Sequence, residues 1–441
     1  MMNKLFQHIG LFSFGIYFIF AFVFYQERTL FLDNPFQVFL MIVEGDIAVN
    51  AHRWPAVIIR VIPYLLIQLG APLKIVLLSF SLSYWLFHFV VFNIIRYRLK
   101  EQALGLLQVA TVTLPIVHSF FWCNSEQNLA ISLLVLILAL FKQRKLVWTG
   151  VMCFVLIWLH PLMFLPFGFV MSFYAVDAFL KKEGHFGLKT PVLFGLSFLV
   201  MYILKSVYIK NWYDNIKAIK FQHNLSTYDL NMAGVLKAFI LENYFLFPAM
   251  VIGALCLLLY KGSFLKAGLW SVFVLAYLVI LNISNSGETS YLFYDEVNYL
   301  ILFFGAAFIL KDFIKARSKV FKRCLFGGAA TLVMINWVIT AGFYSERISW
   351  YNSFVESNDR AILDFKDADQ KMIIMPWASA YESLIISELK GKSSTALISK
   401  EVAKYSLDSS EKVFYGEFKT YDLQNVNRRY FSLDVSEYYL R

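Results

Sequence analysis

Long apolar runs follow one another along this chain. Segments of about 15 to 25 mostly apolar residues alternate with short polar stretches that carry lysine and arginine, and such runs are long enough to cross the hydrocarbon core of a bilayer as helices. The pattern predicts an all-α polytopic membrane protein with about eleven transmembrane helices. The predicted spans are 9–25, 74–95, 103–120, 127–141, 146–159, 163–180, 191–207, 244–260, 267–283, 297–310 and 324–343.

The composition agrees with this pattern. Of the 441 residues, 59% are hydrophobic and 16% are charged, whereas soluble domains are roughly half apolar and about a quarter charged. The net charge of +10 would suit a nucleic-acid partner, but the basic residues stand at the ends of apolar runs, where insertion into a bilayer places them. We therefore expect a lipid bilayer as a partner and no nucleic acid. The four cysteines form no CxxC pair, so neither a disulfide framework nor a zinc site is predicted.

Basic residues fall in every second loop of this scheme. If the N-terminus is cytoplasmic, every basic cluster is cytoplasmic too, as the positive-inside rule requires. The chain after the last span then lies outside. The clusters are at 96–100, 142–145, 181–189, 261–266 and 311–323.

The segment 55–69 is apolar but is not counted as a span. At ~1.5 Å per residue it reaches only about 22 Å, short of the ~30 Å core, and it contains Arg60, Pro63 and Gln68. We interpret it, together with the apolar segment 35–43, as a pair of helices that lie on the outer membrane surface within the first outer loop, 26–73.

The last hundred residues have an ordinary soluble composition. The chain therefore divides into a transmembrane domain, 1–343, and an outer tail, 344–441. In the tail we predict a small α/β domain with strands at 371–377, 395–398 and 412–420 and a helix at 378–389.

Carboxylates and cations collect on the predicted outer side. Asp33 follows the first span, where it could serve as a general base on a hydroxyl, but Asp33-Asn34-Pro35 is also a good helix start. Glu126 is the first residue of a predicted span. Its carboxylate could line a cavity, or it could only interact favourably with the dipole of that helix. Arg53 and Arg60 could bind phosphate or only extend to lipid head groups. The other candidate binding residues on this side are Glu44, Asp46, His52, His160, Lys205, Asp295 and Glu296.

Several of these residues stand in an order that resembles a known family. Asp33 after the first span, the run Arg53-Trp54-Pro55, the stretch Asn124–Asn128 opening a span and the pair His160-Pro161 are similar to elements of the GT-C class of integral membrane glycosyltransferases. The resemblance covers most of residues 9–180 and points to bacterial members.

The resemblance implies an enzyme of the bacterial inner membrane with a periplasmic or extracellular tail. It would transfer a sugar from a polyprenyl-phosphate-linked donor to a lipid, glycan or protein acceptor. Asp33 would act as general base, cationic residues would hold the donor phosphate, and Glu126 would contact the acceptor or a divalent metal such as Mg²⁺ or Mn²⁺.

Three other functions stay open at this stage. A flippase or transporter for a lipid-linked glycan would carry charges deep in several spans and internal repeats, and the nearly charge-free spans argue against it. A glycan polymerase or ligase would share the outer-face site. An inactive scaffold is the third, because the first loop has Asp33 alone rather than a pair of adjacent acids.

Overall fold

The computed structural model describes most of the chain. Its helices are numbered in the order in which they occur along the sequence. The described residues are 2–47, 49, 51–181, 185–209, 211–227, 244, 246–284, 291–358, 360–405, 413–416, 419–422, 429–431 and 439–440. Parts of the predicted loops, including 182–184, 228–243 and 285–290, lie outside them. The helices are α1 (Met2–Val23), α2 (Tyr25–Thr29), α3 (Asp33–Val43), α4 (Val61–Gln68), α5 (Leu73–Asn93), α6 (Gln102–Thr111), α7 (Glu126–Lys142), α8 (Leu146–Leu159), α9 (Phe164–Leu180), α10 (His185–Tyr208), α11 (Trp212–Ser226), α12 (Leu246–Tyr260), α13 (Phe264–Ser284), α14 (Leu292–Ala316), α15 (Lys319–Ser357) and α16 (Ser379–Glu388).

Apolar helices make up the larger part of the molecule. Among the described residues, six helical segments are long and apolar enough to cross a membrane, and three further apolar helices are shorter. This set fits a helical membrane protein, as the sequence predicts, while the count of eleven spans stays a prediction. The six segments are Leu73–Arg98, Pro161–Leu180, Gly187–Tyr208, Phe264–Ser284, Leu292–Ile314 and Val320–Ser357.

The segment predicted as one span at 103–120 is a broken helix. The helix α6 ends at Thr111, and the chain turns before a short 3₁₀ helix at Ser119–Phe121. Pro115 has no N–H group and disfavours helical backbone at the residue before it. The carboxylate of Glu296 also accepts hydrogen bonds from the N–H groups of residues 117–119, which a continuous helix would pair internally.

The first outer loop contains both predicted helices. The helix predicted at 35–43 is α3, which begins two residues earlier. The segment 55–69 forms a 3₁₀ helix at Trp54–Ile59 and then α4, and it exposes Ile58, Leu65 and Leu69. These exposed apolar side chains are consistent with contact to lipid.

The helix α3 does not lie open on the membrane surface, because the C-terminal part of the chain covers it. The ring of Phe39 lies 4.8 Å from that of Phe414 and 5.0 Å from that of Tyr421, with Tyr381 at 5.1 Å and Phe431 at 5.7 Å. All five side chains are buried. The aromatic cluster therefore joins the first loop and the C-terminal unit into one core.

The C-terminal unit has a small sheet with a helix against it. The strands β1 (Ala361–Asp364) and β2 (Ala396–Ser399) pair in parallel, and β5 (Tyr439–Leu440) pairs in parallel with the other edge of β1. The strands β3 (Val413–Tyr415) and β4 (Thr420–Asp422) form an antiparallel pair. A β–α–β connection through α16 explains the parallel pairing of β1 with β2.

Two details of the predicted tail are corrected. Residues 371–377 form turns rather than a strand, because the carbonyl and carboxylate of Asp369 accept the N–H groups of residues 371–373 and Pro376 begins a 3₁₀ turn. The strand that precedes α16 is β1. The predicted domain boundary at 344 falls inside α15, which continues to Ser357, and the division into two domains stays a prediction. The single strand predicted at 412–420 is wrong as well, because residues 413–415 belong to β3 and residue 420 begins β4, which pairs with it; residues 412, 417 and 418 lie outside the described part.

We expect the Phe39→Ala substitution to loosen the C-terminal unit from the first loop. It removes the ring at the centre of the aromatic cluster, and emptying such a buried site costs about 3–5 kcal/mol. Thermal unfolding in detergent should show a lower Tm, and limited proteolysis should cleave the tail faster. The matched control is Phe12→Ala, whose side chain is 66% exposed on α1 and should leave both readouts unchanged. Equal behaviour of the two variants would refute a shared core.

Candidate functional site

Asp33 is the first residue of α3, directly after a tight turn. Its Oδ2 accepts a hydrogen bond from the indole N–H of Trp122 at 3.1 Å. The N-cap residue of α3 is Leu32, and no side chain caps the helix. The carboxylate therefore faces the connection between α6 and α7. A role in starting α3 alone does not explain this orientation.

Glu126 is the first residue of α7, and its side chain also leaves its own helix. The capping group there is Ser125, whose hydroxyl accepts the N–H of Asn128 at 3.4 Å. The carboxylate of Glu126 instead accepts a hydrogen bond from Arg53 Nη1 in the first loop. The side chain of Glu126 therefore does more than interact favourably with the dipole of its own helix.

Arg53 connects two acidic side chains from distant parts of the chain. Besides the bond to Glu126, its Nη2 donates to Asp214 Oδ1 at 3.1 Å, and its guanidinium lies 5.3 Å from the ring centre of Tyr213. Burial alone would lower the pKa of Arg53, but the two carboxylates outweigh it and hold that pKa above its usual range. Arg53 is thus firmly cationic.

Arg60 lies deeper, at the start of α4. Its side chain is 1% exposed, and Nη2 donates to Asn124 Oδ1 at 2.8 Å. Burial lowers the pKa of Arg60, while the negative charges of Glu126 and Asp33 act in the opposite direction. Two guanidinium groups and two carboxylates therefore lie within electrostatic range of one another. We call Asp33, Arg53, Arg60 and Glu126 the four-residue cluster.

The environment of Asp33 makes its carboxyl a stronger base than usual. Burial and, next, the negative charge of Glu126 raise the pKa of Asp33 to about 6, against the hydrogen bond from Trp122 and the charges of Arg60 and Arg53, which lower it. Because the folded pKa lies above the unfolded value, ionisation of Asp33 reduces folding stability as the pH rises from about 4 to about 6. Asp33 is then mostly ionised at neutral pH and ready to accept a proton.

His160 and Lys205 lie beside the cluster. The Nδ1 of His160 accepts the N–H of Leu162 at 3.3 Å. Burial and the charges of Arg53 and Lys205 lower the pKa of His160 well below its usual range, so its imidazole is neutral at pH 7. The Nζ of Lys205 donates to the carbonyl of Ile157 at 3.2 Å and lies 5.3 Å from the ring of Trp158.

The remaining candidates of the first loop lie at its outer edge. Glu44 ends α3, is exposed, and forms an ion pair of 3.2 Å with Lys419 of the C-terminal unit. Asp46 and His52 are exposed as well. His52 follows Ala51 in left-handed backbone, with φ of 55°.

Glu296 and Asp295 belong to the scaffold behind the site. The Glu296 carboxylate accepts the N–H groups of residues 117–119 and the hydroxyls of Ser119 and Tyr244. Asp295, next to it on α14, is buried. By fixing the connection between α6 and α7, Glu296 also fixes Trp122, the partner of Asp33.

Sequence reasoning did not select three residues of the site: Trp122, Tyr213 and Asp214. Asp214 belongs to a stretch of lysines and aromatic residues that suits a membrane-surface helix equally well, and nothing local distinguishes it. Trp122 stands in the connection that precedes Glu126, and only the break in α6 brings its indole to Asp33.

A divalent metal was among the expectations, and the donor set does not fit one. Within the described ranges, no three His, Cys, Asp or Glu side chains come together in a way that could hold a metal ion. The carboxylates of Glu126 and Asp214 both pair with the guanidinium of Arg53, so these two acids already have a cationic partner. We therefore derive no step through a metal.

Two substitutions should move the pKa of Asp33 in opposite directions. Trp122→Phe removes a hydrogen bond that favours the ionised carboxyl, so the pKa should rise above about 6. Glu126→Gln removes a neighbouring negative charge, so the pKa should fall. The pH dependence of carbodiimide labelling at Asp33, which requires the protonated carboxyl and is read by peptide mass spectrometry, measures both. Shifts of the same sign would contradict the described environment.

Comparison of the chain with protein-family models, with curated proteins and with solved structures finds no match in any of the three.

Proposed function

We propose that this protein is a membrane glycosyltransferase that moves a sugar from a polyprenyl-phosphate-linked donor to a lipid, glycan or protein acceptor. The observation that carries the proposal is the four-residue cluster. A carboxylate with a raised pKa lies at the start of α3, in electrostatic range of two guanidinium groups and a second carboxylate. A general base and a phosphate-binding pair in one place are what this reaction requires.

Asp33 is the proposed base. A sugar or lipid hydroxyl is a weak nucleophile until its proton is being removed. The acceptor oxygen forms the new bond to the anomeric carbon of the donor, and the bond from that carbon to the phosphate oxygen breaks. The electron pair leaves with the polyprenyl phosphate, and the acceptor proton moves to Asp33. A pKa of about 6 lets the carboxylate accept that proton and release it at neutral pH.

Arg53 and Arg60 are the proposed phosphate ligands. A guanidinium matches the geometry of phosphate oxygens and favours the charge that develops on the leaving group. A phosphate oxygen would replace Asp214 as the acceptor of Arg53 Nη2, while Glu126 would keep Nη1 oriented. Lys205 and the neutral imidazole of His160 would then lie at the rim, beside Trp158.

Exposed apolar side chains of the first loop indicate the side from which a lipid donor would approach the cluster. Trp54, Ile58 and Leu65 are exposed on the first loop next to Arg53 and Arg60. A polyprenyl chain in the outer leaflet could reach the arginines past this surface. With eleven spans and a cytoplasmic N-terminus, the cluster and the C-terminal unit would face the periplasm or cell exterior of a bacterial inner membrane.

The alternatives differ in what they require. A glycan polymerase or ligase would use the same base and phosphate site with a glycan acceptor, so it is a special case of this proposal. A flippase would need charges that line a path across the membrane. Among the described helices, the buried polar side chains of His88, Ser132 and Gln108 instead bond to one another, with Ser132 Oγ at 2.6 Å from His88 Nδ1 and 2.7 Å from Gln108 Nε2. An inactive scaffold would keep the fold without turnover.

Asp33→Asn should abolish transfer while the protein stays folded. Loss of a general base lowers the rate by about 10²–10⁴-fold. Because an amide does not ionise, Tm at pH 7 should be unchanged or higher. The assay is sugar transfer from a labelled polyprenyl-phosphate donor by protein in nanodiscs, with Asp367→Asn, an exposed acid of the C-terminal unit, as the control. Normal turnover of Asp33→Asn would remove Asp33 from the mechanism.

Arg53→Lys should weaken donor binding more than turnover. Lysine keeps the charge but cannot donate from one planar group to Glu126 and a phosphate together. One lost charge-assisted bond corresponds to roughly 1.5–3 kcal/mol, so KM for the donor should rise about 10- to 150-fold. The control is Arg98→Lys, which is exposed on the predicted cytoplasmic side. An unchanged KM would remove Arg53 from the phosphate site.

A further inference from the structure

The turn that leads into Asp33 has a backbone conformation that is rare for its sequence. The N–H of Asn34 donates to the carbonyl of Phe31 at 3.2 Å, and Leu32, the second residue of this turn, has φ of 51° and ψ of −117°. These angles match a type II′ turn, in which the second position is normally glycine. A leucine keeps such a conformation only where its surroundings hold it there.

The group that holds Leu32 comes from the far end of the chain. Glu382, on α16 of the C-terminal unit, accepts the N–H of Leu32 with Oε1 at 2.7 Å. Its other oxygen, Oε2, accepts from Arg347 Nη2 on α15. Arg347 Nη1 donates to the carbonyl of Leu30 at 3.2 Å, so the pair binds the backbone on both sides of Phe31.

This ion pair is completely enclosed. Glu382 is 0% exposed and Arg347 is 1% exposed. A buried pair of this kind is poor evidence for added stability, because the cost of removing both charges from water can exceed their attraction. What the Glu382–Arg347 pair does specifically is to supply an acceptor and a donor at fixed positions to the turn before Asp33.

We propose that Glu382 is a positioning residue for Asp33, and that the C-terminal unit is in this way part of the candidate site. If the N–H of Leu32 lost its acceptor, the turn would relax to a conformation that leucine prefers, and the first residue of α3 would rotate with it. The carboxylate of Asp33 would then leave the indole of Trp122. That Asp33 is the catalytic base rests on the proposed function; that Glu382 sets its position does not.

A pair of double variants tests whether the turn needs a hydrogen-bond acceptor at residue 382. Glu382→Leu/Arg347→Met replaces both charges with apolar groups of similar size, a change that buried pairs often tolerate. Glu382→Gln/Arg347→Met also removes both charges but keeps an amide oxygen that can accept the N–H of Leu32. The two proteins differ only at residue 382, so differences between them report the missing hydrogen bond.

The first readout is the pH midpoint of carbodiimide labelling at Asp33, measured without any substrate. Burial raises this midpoint in the native protein, so release of Asp33 toward water should lower it by about 1 pH unit or more in the leucine variant. The glutamine variant should keep the native midpoint. The second readout is sugar transfer, which should fall about 10²-fold in the leucine variant, as expected for a misplaced catalytic group, and stay within about threefold in the glutamine variant.

The outcomes separate the two proposals. An unchanged midpoint in the folded leucine variant, or equal shifts in both variants, would overturn the positioning role of Glu382. A midpoint shift confined to the leucine variant, in a protein whose wild type transfers no sugar, would support the positioning role and contradict the proposed function. Should the leucine variant not fold, Glu382→Asp serves in its place, since it keeps the charge but withdraws the carboxylate from Leu32 by one methylene group.

Discussion

Carboxylates and arginines that leave bulk water at the edge of a bilayer must find partners of opposite charge, and this requirement organises the molecule. Arg53 of the first loop meets Glu126 of α7 and Asp214 of α11, and thus holds three separate segments together at the ends of the apolar helices. A charge buried there without a partner would cost several kcal/mol. The candidate site forms because each of these segments supplies a charge that neutralises a buried charge on another.

The same reasoning applies on the other side of Asp33. The Glu382–Arg347 pair joins the C-terminal unit to the first loop, and the aromatic cluster around Phe39 fills the space next to it. Asp33 therefore lies between two sets of ion pairs, one that faces the membrane helices and one that faces the C-terminal unit. Its position depends on both, and its burial between them raises its pKa.

Local sequence patterns predicted the parts of this architecture that depend on local physics. Apolar runs predicted the helices, and the length and composition of 55–69 predicted an element shorter than a span, which the structure shows as two short helices. The predicted topology placed Asp33, Arg53, Arg60 and Glu126 on one side, and the structure brings these four residues close together. The proposed role of the cluster, in contrast, came from a family resemblance and stays a proposal.

Non-local contacts account for what the sequence did not predict. The break in α6 depends on acceptors from Glu296, about 180 residues away, and the turn at Leu32 depends on Glu382. An apolar stretch such as 371–377 has strand propensity, but the neighbouring Asp369 satisfies its N–H groups in a turn. In each case a distant or polar partner overrides the local preference, and a single sequence gives no sign of it.

The most direct test of the central claim is to determine where a polyprenyl phosphate binds. A cryo-electron microscopy map of the protein in nanodiscs with added polyprenyl phosphate would show it. The account predicts phosphate density within hydrogen-bond distance of Arg53 and Arg60, with Asp33 facing the side of the phosphate from which an acceptor would approach. Phosphate density elsewhere on the outer face, with the pairs of Arg53 to Glu126 and Asp214 intact, would contradict it.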